Sequence, residues 1–130
     1  MGTRALLLAR LGATAYFVWG LLHLKAAQAV FQLGGTLPPG MIQARVYQDA
    51  ALLLACALAV MAVAATLNWR NRLTGHWINL GVVSAADVGF IAFVLAPGYI
   101  ALLPGIAGPV LWLLGWALTN AARPWAVAKV

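Results

Sequence analysis

Apolar residues fill four long blocks of the chain, at about residues 6–33, 41–67, 76–96 and 106–122, separated by short polar or turn-forming stretches. A bilayer core of about 30 Å needs roughly 20 apolar residues per helix. Each block is near or above that length, the fourth being the shortest. Lipid offers no partner to an unpaired backbone group, so an apolar span that does not close into a barrel must be a helix. The pattern therefore predicts an all-α polytopic membrane protein, a bundle of four transmembrane helices joined by short loops. Gly34-Gly35-Thr36-Leu37-Pro38-Pro39-Gly40 ends the first helix, and Asn68 to Gly75 forms a polar, basic loop. Pro97-Gly98 stops the third helix, while Pro104-Gly105 and Gly108-Pro109 precede the fourth.

Composition agrees. Of 130 residues, 65% are hydrophobic and 8% charged, against about 45–50% and 25% in a soluble domain. A single domain is expected at this length. The net charge of +6 does not point to nucleic acid, because the basic residues sit singly at the ends of apolar blocks rather than on one face. They act instead as topology signals. Arg4, Arg10, Arg70, Arg72, Arg123 and Lys129 fall on one side and Arg45 on the other. That bias places both ends of the chain in the cytoplasm, in a multi-pass protein expected in a bacterial inner membrane. Trp69, Trp77 and Trp125 then lie at the inner interface. The first block carries Ala27-Gln28-Ala29, which mimics a cleavage site, but it is too long for a signal peptide and is interrupted by Arg10, His23 and Lys25. Cys56, inside the second block, reads as a small apolar residue. Gly81, Ala85 and Gly89, and likewise Ala51, Ala55 and Ala59, repeat at every fourth position and read as helix-packing seams inside the bundle.

Candidate chemistry lies in the polar residues at membrane depth, each of which needs a partner or a cavity. At 1.5 Å per residue, Asp87 lies about 15 Å beyond Trp77, near the midplane. His23, Lys25 and Asp49 fall at or beyond the midplane on the outer side, with Arg45 above them. Arg45 and Asp49 are four residues apart and can bridge on one helix face. Either Lys25 or His23 can reach Asp87, but the two point roughly 160° apart on a helix and cannot both face it. Lys25 can alternatively snorkel to the outer interface. His76, beside Trp77, reads as a solvated cap. Asn79, Ser84 and Asp87 share a broad polar face of the third helix, and Phe90 lies one turn beyond Asp87. On the first helix Tyr16, Trp19 and His23 form one face and Lys25 and Gln28 another. Together these residues predict a polar cavity in the outer half of the bundle. His23 and His76 differ in depth by about 20 Å, so they cannot share a haem. No metal centre and no cofactor is expected.

Arg10-Leu11-Gly12 opening an apolar helix, followed by Gly20-Leu21-Leu22-His23-Leu24-Lys25, resembles the first helix of DoxX-like four-helix membrane proteins. The resemblance implies four spans and an accessory role beside membrane redox enzymes. The chain departs from the pattern in lacking the second-helix Glu of those proteins; it contains no Glu at all.

Three functions fit these residues. The first is a membrane accessory or binding subunit that holds a quinone- or isoprenoid-like molecule, or docks a larger membrane partner or a second copy of itself. The second is a small intramembrane isomerase or cyclase acting on a lipid, with Asp87 or His23 as its acid–base group. The third is a small proton-coupled transporter.

Overall fold

The computed structural model describes residues 2–123; Trp125 and Lys129 lie outside them. Helix α1 runs from Thr3 to Thr36 and α2 from Met41 to Val63, continued by a π-helical turn over Ala64–Asn68. Helix α3 covers Leu73–Phe90 and also runs on as a π-turn, Ile91–Leu95. A short helix α4 (Leu102–Gly105) leads into α5 (Ala107–Ala121). The described residues are helical with no strand, as the apolar pattern requires.

Among the described residues, three helices are long and apolar enough to cross a membrane: α1, α2 with its π-turn, and α3 with its π-turn. The fourth block, expected over 106–122, is helix α5, 15 residues or about 22 Å long. The chain leading into it is broken at Leu103, whose φ of −106° and ψ of 118° are extended rather than helical. Pro104, which follows, disfavours the α conformation at the residue before it. Helix α1, at 34 residues, is about 51 Å long and exceeds a bilayer core.

Small residues set the packing. Ala9, Gly12, Ala13, Tyr16, Trp19, Gly20 and Ala27 form the buried face of α1. A Cβ on Gly12 would lie 2.6 Å from Thr119 Cγ2 and 3.1 Å from the Gly115 carbonyl oxygen, so α1 and α5 meet nearly backbone to backbone. Gly115 in turn receives the Tyr16 ring. Tyr16, Trp19, Val60, Ala64 and Val83 make the central core, with Leu111 and Trp112 of α5 packed against it.

The seams predicted from sequence lie on the wrong faces. Ala51, Ala55, Ala59, Gly81 and Ala85 are exposed and Gly89 half-buried, and a Cβ on Gly81 or Gly89 would touch nothing within 4 Å. The seams actually used run through Gly12, Gly20, Ala57, Ala64 and Gly115. The physical reason is that the spacing of small residues alone does not fix the rotation of a helix about its axis.

One end of the bundle carries the basic residues. There the Arg10 guanidinium sits 5.3 Å over the Trp69 ring. Arg123 donates to the Arg72 carbonyl at 3.1 Å and Asn71 Nδ2 to the Ala122 carbonyl at 3.1 Å, tying the α2–α3 turn to the end of α5. The opposite end is the α1–α2 hairpin, whose loop is held by Gln43 donating to the carbonyls of Gly34 (3.0 Å) and Leu37 (3.1 Å).

Candidate functional site: a buried Trp–His–Asp cluster

Three elements meet around Asp87. Helix α3 turns Gly75, His76, Asn79, Val83 and Asp87 inward at intervals of three or four residues, one stripe of a 3.6-residue helix. Helix α1 supplies Trp19 and His23, which are four residues apart and stacked with ring centroids 3.6 Å apart. The first turn of α5 closes the third side. A Cβ on Gly108 would lie 3.2 Å from His23 Cε1 and 3.5 Å from Asp87 Oδ1, so only glycine allows α5 to seat this closely without crowding the pair.

The hydrogen bonds fix the chemistry of each atom. Trp19 Nε1 donates to Asp87 Oδ2 at 2.9 Å. His23 Nδ1 lies 2.8 Å from the Trp19 carbonyl oxygen. A carbonyl can only accept, so Nδ1 carries a hydrogen. In neutral His23 the lone pair is then on Nε2, which faces Asp87 Oδ1 at 3.7 Å. Asp87 is 0% exposed, and Oδ1 has no hydrogen-bond partner among the described residues. The two groups thus face each other across a gap with room for one proton to be placed on either side. Trp19, grouped with Tyr16 and His23 by helical spacing, is thus the hydrogen-bond donor to the carboxyl group.

A second buried polar group lies nearer the basic end. Thr119 Oγ1 donates to the Gly115 carbonyl at 2.7 Å, so its single hydrogen is spent. His76 Nδ1, 2.9 Å from the same oxygen, must therefore donate to it. His76 is 1% exposed, which corrects the solvated cap expected beside Trp77. The π-turn that ends α2 carries Asn68 inward, where its amide nitrogen donates to the carbonyls of Gly75 (3.1 Å) and Val63 (3.3 Å). Asn79 Nδ2 donates to the Val60 carbonyl at 3.3 Å. Asn68 and Thr119 were not singled out from sequence. Thr119 could have been found as one of two adjacent polar residues inside the fourth block, with Asn120, whereas Asn68 read as part of a loop.

The other candidates separate from the cluster. Lys25, Gln28, Arg45 and Asp49 are exposed, so His23, not Lys25, takes the partner role to Asp87. Arg45 Nη1 donates to Gln48 Oε1 at 2.8 Å in place of the Asp49 bridge expected, since a solvated ion pair gains little over a neighbouring amide. Ser84 is half-buried, and Phe90 lies near Gly105. Asp87 itself is not reached by solvent. Two grooves, each about 350–370 Å³, lie along α1, one against the π-turn that continues α2 and one against α2. One is lined by Phe17, Ala64 and Trp69 among others. The other is lined by Gln28, Phe31, Tyr47 and Leu54 among others, and of the predicted site residues only Gln28 reaches it. No cluster of three or more His, Cys, Asp or Glu side chains suited to a metal ion occurs among the described residues. No protein-family model, no curated protein and no solved structure matches the chain.

Proposed function

We infer that the chain is a small integral membrane subunit that works by docking, within the bilayer, against a larger membrane partner or a second copy of itself. In this reading it crosses the membrane four times, α4 and α5 together making the fourth crossing, with both ends cytoplasmic in a bacterial inner membrane. The observation that carries it is the inversion of the two small-residue rows. Ala51, Ala55 and Ala59 on α2 and Gly81 and Ala85 on α3 face outward, while Asn68, His76, Asn79, Asp87 and Thr119 turn in. Small residues at four-residue spacing let helix backbones approach closely in lipid. Rows of that kind on an outer surface suit incoming helices better than acyl chains. The resemblance of the first helix to DoxX-like proteins supports the same role. A quinone- or isoprenoid-like guest would lie in the α1–α2 groove, with Gln28 as its polar contact, rather than beside Asp87.

The test is extraction from the native membrane in mild detergent, followed by native mass measurement of wild type, Ala55→Leu and Ala85→Leu. A complex larger than one chain in wild type, lost in at least one variant whose thermal stability is unchanged, supports docking. A single chain in wild type, or a complex indifferent to both substitutions, overturns it.

A further inference from the structure

We propose that Asp87 and His23 form a binding site for one exchangeable proton, walled by the first turn of α5 in the interior of the membrane. The geometry carries the inference. Asp87 Oδ2 is committed to the Trp19 indole, and His23 Nδ1 to the Trp19 carbonyl. One oxygen and one ring nitrogen are left, 3.7 Å apart and facing each other. With one proton on the pair its net charge is zero, whether the proton is on Oδ1 or has moved to Nε2 to give a carboxylate and an imidazolium. With none, two lone pairs confront each other and a full negative charge is buried. With two, a full positive charge is buried. Burying an uncompensated charge is far more costly than burying a neutral or self-compensated pair, so the one-proton state dominates. On release, the O–H or N–H bond breaks, its electron pair stays on Oδ1 or Nε2, and the proton passes to water.

Release is not forbidden, because the unprotonated state has local support. The Trp19 N–H remains on Oδ2, and α5 presents its first turn, the positive end of the helix dipole, to Oδ1. A broken span whose half-helix begins beside a buried ionisable group is an arrangement that membrane proteins use for ion sites. Among the described residues, no other titratable group faces the pair. Helix α5 has no titratable side chain. On α3, His76 is three turns away and bonded to Thr119. On α1, Tyr16 packs over Gly115, and Lys25 is exposed. On α2, Arg45 and Asp49 are exposed, Tyr47 lies against Gly34, and Cys56 is half-buried. The two groups therefore titrate as a coupled pair.

The composition makes the test clean. The chain has two acidic side chains, both Asp, so Asp49→Asn leaves Asp87 as its single side-chain carboxyl. Infrared spectroscopy of that protein in lipid nanodiscs, between about pH 4 and 9, follows the carbonyl stretch of the protonated carboxyl. The expected result is a band that titrates in this range and whose midpoint moves by at least about one pH unit in His23→Gln. If His23→Gln does not fold, Gly108→Ala replaces it, with a smaller but measurable shift expected because its Cβ presses on the His23 ring. A carboxyl and a His23 ring (the ring followed by ¹⁵N NMR) whose states are both constant over the range, or a midpoint indifferent to the variant that folds, overturns the proposal.

Discussion

The two buried polar groups of this bundle share the inward stripe of α3 and the packing of α5 against it, and behave differently. Near the basic end, Asn68, His76, Asn79 and Thr119 reach each other or backbone carbonyls through donors whose hydrogens are already assigned. Nothing there depends on adding or removing a proton between two facing acceptors. Three turns further along α3, Asp87 and His23 are oriented just as firmly by Trp19, yet their facing atoms share a proton whose position is open. The first group is glue of the kind that holds transmembrane helices together. The second is held by the same packing but left chemically incomplete. Burial alone does not separate them, since Asn79 and Asp87 are both 0% exposed. Each group also leaves one buried oxygen without a hydrogen-bond partner, Asn79 Oδ1 and Asp87 Oδ1; what separates them is that the first belongs to an amide that does not titrate and the second faces another titratable group.

The strongest test of that contrast is Trp19→Ala, which removes the donor to Oδ2, the ring stacked on His23 and a large part of the core at once. A loss of about 3–5 kcal/mol in unfolding free energy is expected, measured by denaturant titration in micelles, together with a changed carboxyl titration. Next, Gly12→Val forces α1 away from Thr119 and Gly115 in the basic-end half. Overpacking should cost about 1–3 kcal/mol while the carboxyl midpoint stays in place; a shifted midpoint would show that the two groups are coupled. Thr119→Val deletes the acceptor of His76 and should cost about 1–2 kcal/mol, again with the Asp87 titration unmoved. The smallest effect belongs to Ala85→Leu, whose side chain points outward. Its unfolding free energy should stay within about 0.5 kcal/mol of wild type, and a larger loss would show that the α3 row is packed within the chain.

Much of the fold is legible in the sequence, because span length and backbone satisfaction leave few options to four apolar blocks. The expected blocks at residues 41–67 and 76–96 correspond closely to α2 and α3 with their π-turns. Asp87 as an inward residue follows from its cost in lipid, and Tyr16, Trp19 and His23 as one face follows from helical spacing. The choice of His23 over Lys25 does not follow from spacing, because it depends on how α1 is rotated, and that is set by the Gly12–Thr119 and Gly20–Met61 contacts. The same uncertainty of rotation sent the small-residue rows to the outside. His76 was misplaced because Trp77 is exposed beside it, and adjacent residues on a helix point about 100° apart. Gly108 reads in the sequence as punctuation, and its role against the pair is visible only once α5 is seated.

The most direct test uses the chain's two histidines, His23 and His76, one in each group. Their ring nitrogens should be followed by ¹⁵N NMR in nanodiscs, in wild type and Asp87→Asn. The account predicts that the His23 Nε2 signal moves with pH in wild type and changes on Asp87→Asn, while His76 stays the same in both proteins. If Asp87→Asn leaves His23 unmoved, or moves both histidines alike, the shared proton does not exist and the two groups are one kind of structural glue.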